Sequence, residues 1–195
     1  MRRVVAIWTF GVLALLLHGC GGNGGAGGGL EIVGVGRALV IRISDAATKQ
    51  TVPGVEVVIL TSRGTVPMLR VVERQPTSPD REISLAVARA LKGDLRVGDF
   101  VLRNQLSDSD FFRGIYVRVP AGYTAIVRHI LPDGAQRVKQ MPRTLQDHPG
   151  CLLASERAGR VDEVFGKVGV VDLGVVELFP NSPSVVPPPV DENCP

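Results

Sequence analysis

From Ala38 onward the apolar residues of this chain recur at every second position, and that period restricts it to strands over most of its length. In Leu39-Val40-Ile41-Arg42-Ile43-Ser44, Leu39, Ile41 and Ile43 point one way, while Arg42 and Ser44 point the other. Val55-Glu56-Val57-Val58-Ile59-Leu60 is a second strand, rich in β-branched residues, after the turn dipeptide Pro53-Gly54. Met68 to Val72, Phe100 to Arg103, Ile115 to Val119 and Tyr123 to Ile130 continue the pattern. Asp133-Gly134 marks a hairpin. Residues 141–163 read as irregular loop, and Val168 to Val171 and Val175 to Phe179 close the body. Aromatic residues are only 5% of the chain, against 23 glycines and 14 prolines, which suits strands and turns better than a helical bundle.

One segment breaks the period. Ser78-Pro79-Asp80-Arg81-Glu82 has a capping serine, a proline for the first helical position and acids for the positive end of the dipole. Ile83, Val87, Ala90 and Leu91 follow at helical spacing, and Gly93 supplies a stop. The expectation is one helix over about 79–91, inserted in a mainly β chain. Short strands, frequent turns and a single helix together predict an antiparallel β-sandwich, immunoglobulin-like in its layering.

The first twenty residues read as an address. Met1-Arg2-Arg3 is a positive start, and Val4 to Leu17 is apolar apart from Thr9, too short a run for the ~20 residues that span a bilayer. Leu17-His18-Gly19-Cys20 resembles the bacterial lipobox. That resemblance implies a signal peptide over 1–19, cleavage before Cys20, a diacylglycerol thioether on its thiol and a further acyl chain, palmitate-like, on its new amino group. Two or three acyl chains hold a protein to a bilayer where one is marginal. Gly21 to Gly29 has seven glycines in nine residues, and residues 20–36 are expected to act as a tether. Gly21 after the acylated cysteine resembles outer-membrane sorting. The tail from Pro180 to Pro195 holds six prolines and is expected to be extended. The sandwich domain is accordingly placed at 37–179.

A second resemblance is carried by Leu39 to Leu60, with its strand, Asp45, a polar turn, Pro53-Gly54 and a second strand. It is carried also by Val119-Pro120-Ala121-Gly122-Tyr123 and by Asp172-Leu173-Gly174-Val175-Val176-Glu177-Leu178. These stretches resemble carboxypeptidase regulatory-like, or transthyretin-like, domains. The resemblance implies a sandwich with insertions at 61–99 and 133–166, the helix lying in the first. Lys49 stands where such domains prefer glycine. The hydroxyisourate-hydrolase branch of that superfamily ends in Tyr-Arg-Gly-Ser, whereas this chain ends Glu192-Asn193-Cys194-Pro195, which argues against that activity. From the residues themselves, Asp45 is expected to cap the turn after the first strand, and Tyr123 to bury its ring with its hydroxyl on a backbone carbonyl.

Chemistry-bearing residues are sparse. Net charge is +3, and losing Arg2 and Arg3 would leave +1, so there is no electrostatic footprint for nucleic acid. No spacing of histidines and cysteines suits zinc, and no Gly-x-Ser-x-Gly occurs. Neither a metal nor another cofactor is expected. Asp108 and Asp110 form a carboxylate pair in Asp108-Ser109-Asp110-Phe111-Phe112-Arg113-Gly114, read as a solvated turn. Phe111 and Phe112 are adjacent and, if extended, face opposite ways: one in the core, the other an anchor for a partner. Cys151 and Cys194 are an even pair in an exported chain and read as a disulfide, with two free thiols as the alternative. His129 is expected at a rim or half buried, and His148 in a turn. The leading expectation is a non-enzymatic, lipid-anchored cell-envelope protein binding a protein or a carbohydrate. The alternatives are a small tethered hydrolase using His129 or His148 with a carboxylate, and an assembly or transport subunit docking a partner through the helix and Phe111/Phe112.

Overall fold

Strand alternation becomes two sheets closed on one core. The structure is a computed structural model, and it describes residues 36–73, 82–92, 95–142, 144–145 and 151–191. Among the described residues eleven strands are formed: β1 (Arg37–Asp45), β2 (Glu56–Thr61), β3 (Gly64–Pro67), β4 (Leu69–Val72), β5 (Glu82–Ser84), β6 (Asp99–Arg103), β7 (Phe111–Arg118), β8 (Tyr123–Ile130), β9 (Gln136–Gln140), β10 (Gly159–Arg160) and β11 (Gly169–Pro180). Helix α1 (Leu85–Lys92) and the one-turn helix α2 (Val161–Phe165) complete the list, with a 3-10 turn at Ser155–Arg157. The first sheet runs β5-β4-β6-β1-β11-β8-β9 and the second β10-β7-β2-β3. Leu39, Ile41, Val127, Val176 and Leu178 of the first sheet and Val57, Ile59, Ile115 and Val117 of the second share one buried cluster. The chain is thus a β-sandwich with an inserted helix.

Most ladders are antiparallel, but β1 pairs with β11 in parallel, and so does β4 with β5. The first and last strands therefore lie side by side in the middle of the larger sheet. The two closing segments read from sequence are a single strand. The gap between them is a bulge, where the register moves from Val40↔Asp172 to Arg42↔Val175. Gly174 turns there with φ of 88°, and a Cβ on it would meet the Ile130 carbonyl oxygen at 2.1 Å.

The helix starts later than its capping signals suggest. Ile83 is drawn into the ladder opposite Val71, so residues 82–84 are extended. Ser84 then serves as the cap, its Oγ accepting the Val87 N–H at 3.4 Å. Ser78, Pro79, Asp80 and Gly93 lie outside the described residues. Ala88 of the helix is buried with Val40, Val71, Leu95 and Val101, a second cluster on the outer face of the larger sheet.

The segment expected to be loop at 141–163 contains the 3-10 turn, β10 and the start of α2. Leu153 makes both backbone hydrogen bonds of a bridge with Ile115, at 2.8 and 3.0 Å, which extends β10 along the edge of β7. Lys139 of β9 is buried and reaches across to the Leu152 carbonyl at 3.2 Å and Ser155 Oγ at 3.1 Å, joining the edges of the two sheets. The proline-rich tail folds back on the same strand. The Val138 N–H donates to Asp191 Oδ2 at 2.6 Å, and the Asp191 N–H donates to the Val138 carbonyl at 3.0 Å. Cys151 is buried, and Cys194 lies outside the described residues, as do Cys20 and His148.

Candidate functional site

The sheets part where the chain crosses between them. After β3 the backbone passes from the smaller sheet to the larger at Met68, whose N–H donates to the Val57 carbonyl at 2.9 Å. Between the outer strands of this corner lies a cleft of about 430 Å³. Met68, Phe100 and Val57 form its apolar floor. Its rim is charged: Glu56 and Arg118, cross-strand partners on β2 and β7, approach to 3.4 Å, and Arg70 and Glu82 face each other in the β4/β5 ladder. Thr65 and Pro67 on β3 complete the far wall. A proline in that edge strand removes one backbone donor, which blunts the edge for strand addition.

Arg118 also lines a second hollow of about 200 Å³ on its other side, with Tyr116 and Tyr123. These are the only tyrosines of the chain. Tyr123 is held by its hydroxyl, which donates to Asp45 Oδ2 at 2.9 Å rather than to a backbone carbonyl. Partial burial and that carboxylate raise the Tyr123 phenol above its ordinary value. Asp45 does cap the turn, its Oδ1 accepting from the Ala47 and Thr48 N–H groups at 2.8 Å each. Burial works to raise its carboxyl, but these donors and Tyr123 outweigh it and hold the group below the usual value. Beside this turn, buried Glu177 takes Lys49 at 2.6 Å and Arg128 as a close ion pair. Its desolvation is likewise outweighed, so it too is held low.

The candidates read from sequence fall in other places. Phe112 is fully buried, its ring edge-on to Phe165 with centroids 4.8 Å apart, and takes no part in an outer surface. Phe111 is 45% exposed. Asp108 pairs with Arg37 at 2.6 Å and Asp110 with Arg63 at 2.8 Å, so guanidinium groups occupy the carboxylate pair. No group of three or more His, Cys, Asp or Glu side chains suited to a metal occurs among the described residues. His129 is more deeply placed than a rim position. It is 2% exposed and its Nε2–H donates to the Leu173 carbonyl at 2.6 Å, the carbonyl that the β11 bulge turns inward. Burial pushes its imidazolium down from 6.5, against the Leu173 carbonyl and Glu156, which favour the charged form. Such a histidine is closed to a solute.

The cleft was not legible in the sequence because its lining comes from six separate strands. Its one local signal was the Pro67-Met68 step at which a strand changes sheet. The arrangement offers charged hydrogen-bond partners over an apolar floor, with Thr65 as its one hydroxyl. That suits holding a ligand. No family model, curated protein or solved structure matches this chain.

Proposed function

We propose that the chain is a lipid-anchored cell-envelope protein whose β-sandwich is a non-catalytic binding module. The observation that carries the reading is the order of its parts. A lipobox-like Leu17-His18-Gly19-Cys20 is followed by a glycine run, and the first strand begins at Arg37. The cleft supports the binding half of the reading. It lies toward the end of the sandwich where β1 finishes, beside Gly54 and Val55, and so faces away from the end at which the chain arrives from Cys20. A partner reaching it from beyond the membrane surface meets Arg118 and Arg70 at the rim and an apolar floor behind them. A segment of a protein or of a glycan has the right dimensions and chemistry.

Mass spectrometry of the mature N-terminal peptide from membranes tests the anchor. Acylated Cys20 is expected, and Cys20→Ser should leave an unprocessed precursor. An unmodified Cys20 at the mature terminus overturns the reading. A photo-crosslinking residue at Thr65 should trap a discrete partner in whole membranes, while the same residue at Ala47 should not.

Convergence on β9 supports the disulfide as well. Asp191 binds Val138, and the Leu152 carbonyl receives the neighbouring Lys139, so the chain on either side of the two cysteines meets adjacent residues of one strand. The transthyretin-like assignment remains part of this proposal, resting on the Asp45 turn and the Pro120-Ala121-Gly122-Tyr123 lead-in to β8.

A further inference from the structure

Resting on the lipid-anchored reading, we infer that the end of the sandwich where β1 begins seats directly on the bilayer, with Phe111 and Val168 in the interfacial layer. The point at which the chain arrives is well defined. Arg37 donates from Nε to the Gly166 carbonyl at 2.6 Å and from its guanidinium to Asp108 Oδ1 at 2.6 Å. These bonds draw the β6–β7 loop and the α2–β11 turn to the start of β1. The β2–β3 turn joins them, since the Ser62 N–H donates to the Phe111 carbonyl at 2.8 Å and Arg63 pairs with Asp110.

Three of the five large hydrophobic residues exposed among the described residues gather at this end: Phe111 at 45%, Val168 at 68% and Val170 at 42%. The other two, Val97 and Val186, stand apart, one ahead of β6 and one in the tail. Single exposed apolar residues are ordinary, but these three project from both sheets around the rim of one end, where an interfacial layer would cover them together. Exposed Arg113 and Lys167 stand next to them in the chain, placed to meet lipid phosphates while the apolar side chains enter between headgroups.

The chain outside the described residues identifies that surface. Residues 20 to 36 reach at most about 55 Å when fully extended, and they end at the patch. The other end of β1, eight residues on, is about 26 Å away at a strand rise of ~3.3 Å per residue. Its turn presents Ala47, Thr48, Lys49 and Gln50, with no large apolar side chain. The apolar end is therefore the end at which the tether to a bilayer held by acyl chains at Cys20 joins the sandwich.

The mature chain provides a background free of tryptophan. Its single tryptophan, Trp8, precedes Cys20, so a processed protein has none. Phe111→Trp and Val168→Trp each place one tryptophan at the proposed contact, and Ala121→Trp places one at the far end. Each full-length variant is produced as the processed lipoprotein and reconstituted in phosphatidylethanolamine/phosphatidylglycerol vesicles with or without brominated acyl chains. Mass spectrometry of the same samples confirms the acyl chains. Bromine should quench F111W and V168W at least about twofold and leave A121W unchanged, since an interfacial side chain lies within ~5–10 Å of the acyl boundary. Quenching of F111W and V168W no greater than that of A121W, in lipidated protein, overturns the seating while the anchor stands. Blue-shifted but unquenched emission overturns it too, and assigns the patch to a protein surface, either a second partner or residues 30–35 of this chain. Protein without acyl chains overturns the anchored reading itself, and the seating with it.

Discussion

Lys49 shows what single positions reveal and conceal. Its φ is 61°, the left-handed region in which a Cβ is costly and glycine is favoured. What the lysine adds is its ammonium on Glu177, but its side chain is 59% exposed, so solvent limits that ion pair to about 0–1 kcal/mol. The backbone term is of similar size, roughly 1 kcal/mol. Lys49→Gly should therefore be no less stable than the wild type in urea, while Lys49→Ala, which keeps the strain and loses the pair, should fall about 1 kcal/mol below Lys49→Gly. His129 gives the complementary case. The folded state holds it neutral, with its proton affinity lowered from 6.5, so its contribution is intact above that pH. As pH falls below 6.5 the unfolded chain takes up the proton first and stability declines. His129→Gln should flatten the loss of Tm between pH 7 and 5, and His148→Gln should not. An unchanged slope in His129→Gln would refute this account. Asp45 as a cap was legible from its position before a polar turn. The burial of His129 was not, because it depends on a bulge at Leu173 in a strand more than forty residues away.

Among elements, the period-two signal located the strands of the core but not the edges. Strands β1, β2, β6 and β8 are dense in apolar residues and were read within a residue or two. Strands β3, β5 and β10 have two to four residues each, too few for a period to register, and they exist because a neighbouring strand offers them a ladder. The same competition shortened the helix, since Ile83 gains more from the sheet beside Val71 than from one further helical turn. The tail was legible as proline-rich and extended, but its docking was not. Asp191 satisfies both outward backbone groups of Val138 on β9, a sheet edge that would otherwise be open to another chain. Asp191→Ala should cost about 1–2 kcal/mol in chemical denaturation and increase aggregation on storage. If Cys151 and Cys194 are joined, the closed loop adds about 4 kcal/mol on the chain-entropy estimate. Cys194→Ser should then lose more stability than Asp191→Ala. Non-reducing peptide mapping that finds both thiols free would remove the disulfide from the account.

At the scale of the molecule, the sandwich class was legible and the pairing of its termini was not. Alternation says which face of a strand is buried, but it is silent on which strands are neighbours. The decisive pairing joins β1 to β11 in parallel, across more than 130 residues, and β11 also carries β8 on its other side. Such a contact closes a long loop at an entropic cost, and β11 supplies the ladder to both β1 and β8 in the middle of the sheet. Val176 and Leu178 from β11 are completely buried against both sheets. Truncation after residue 180 removes the tail alone and should leave a single cooperative thermal transition at a lower Tm. Truncation after residue 168 removes the strand between β1 and β8, leaving Leu39, Ile41, Ile43 and Val127 without their cover. That chain should show no cooperative transition and should bind a dye specific for exposed apolar surface. The two outcomes separate a fold closed by its last strand from one that only carries it. Cooperative melting of the shorter chain would mean that β11 is an accessory, and that the larger sheet is organised around β6 and β1 instead.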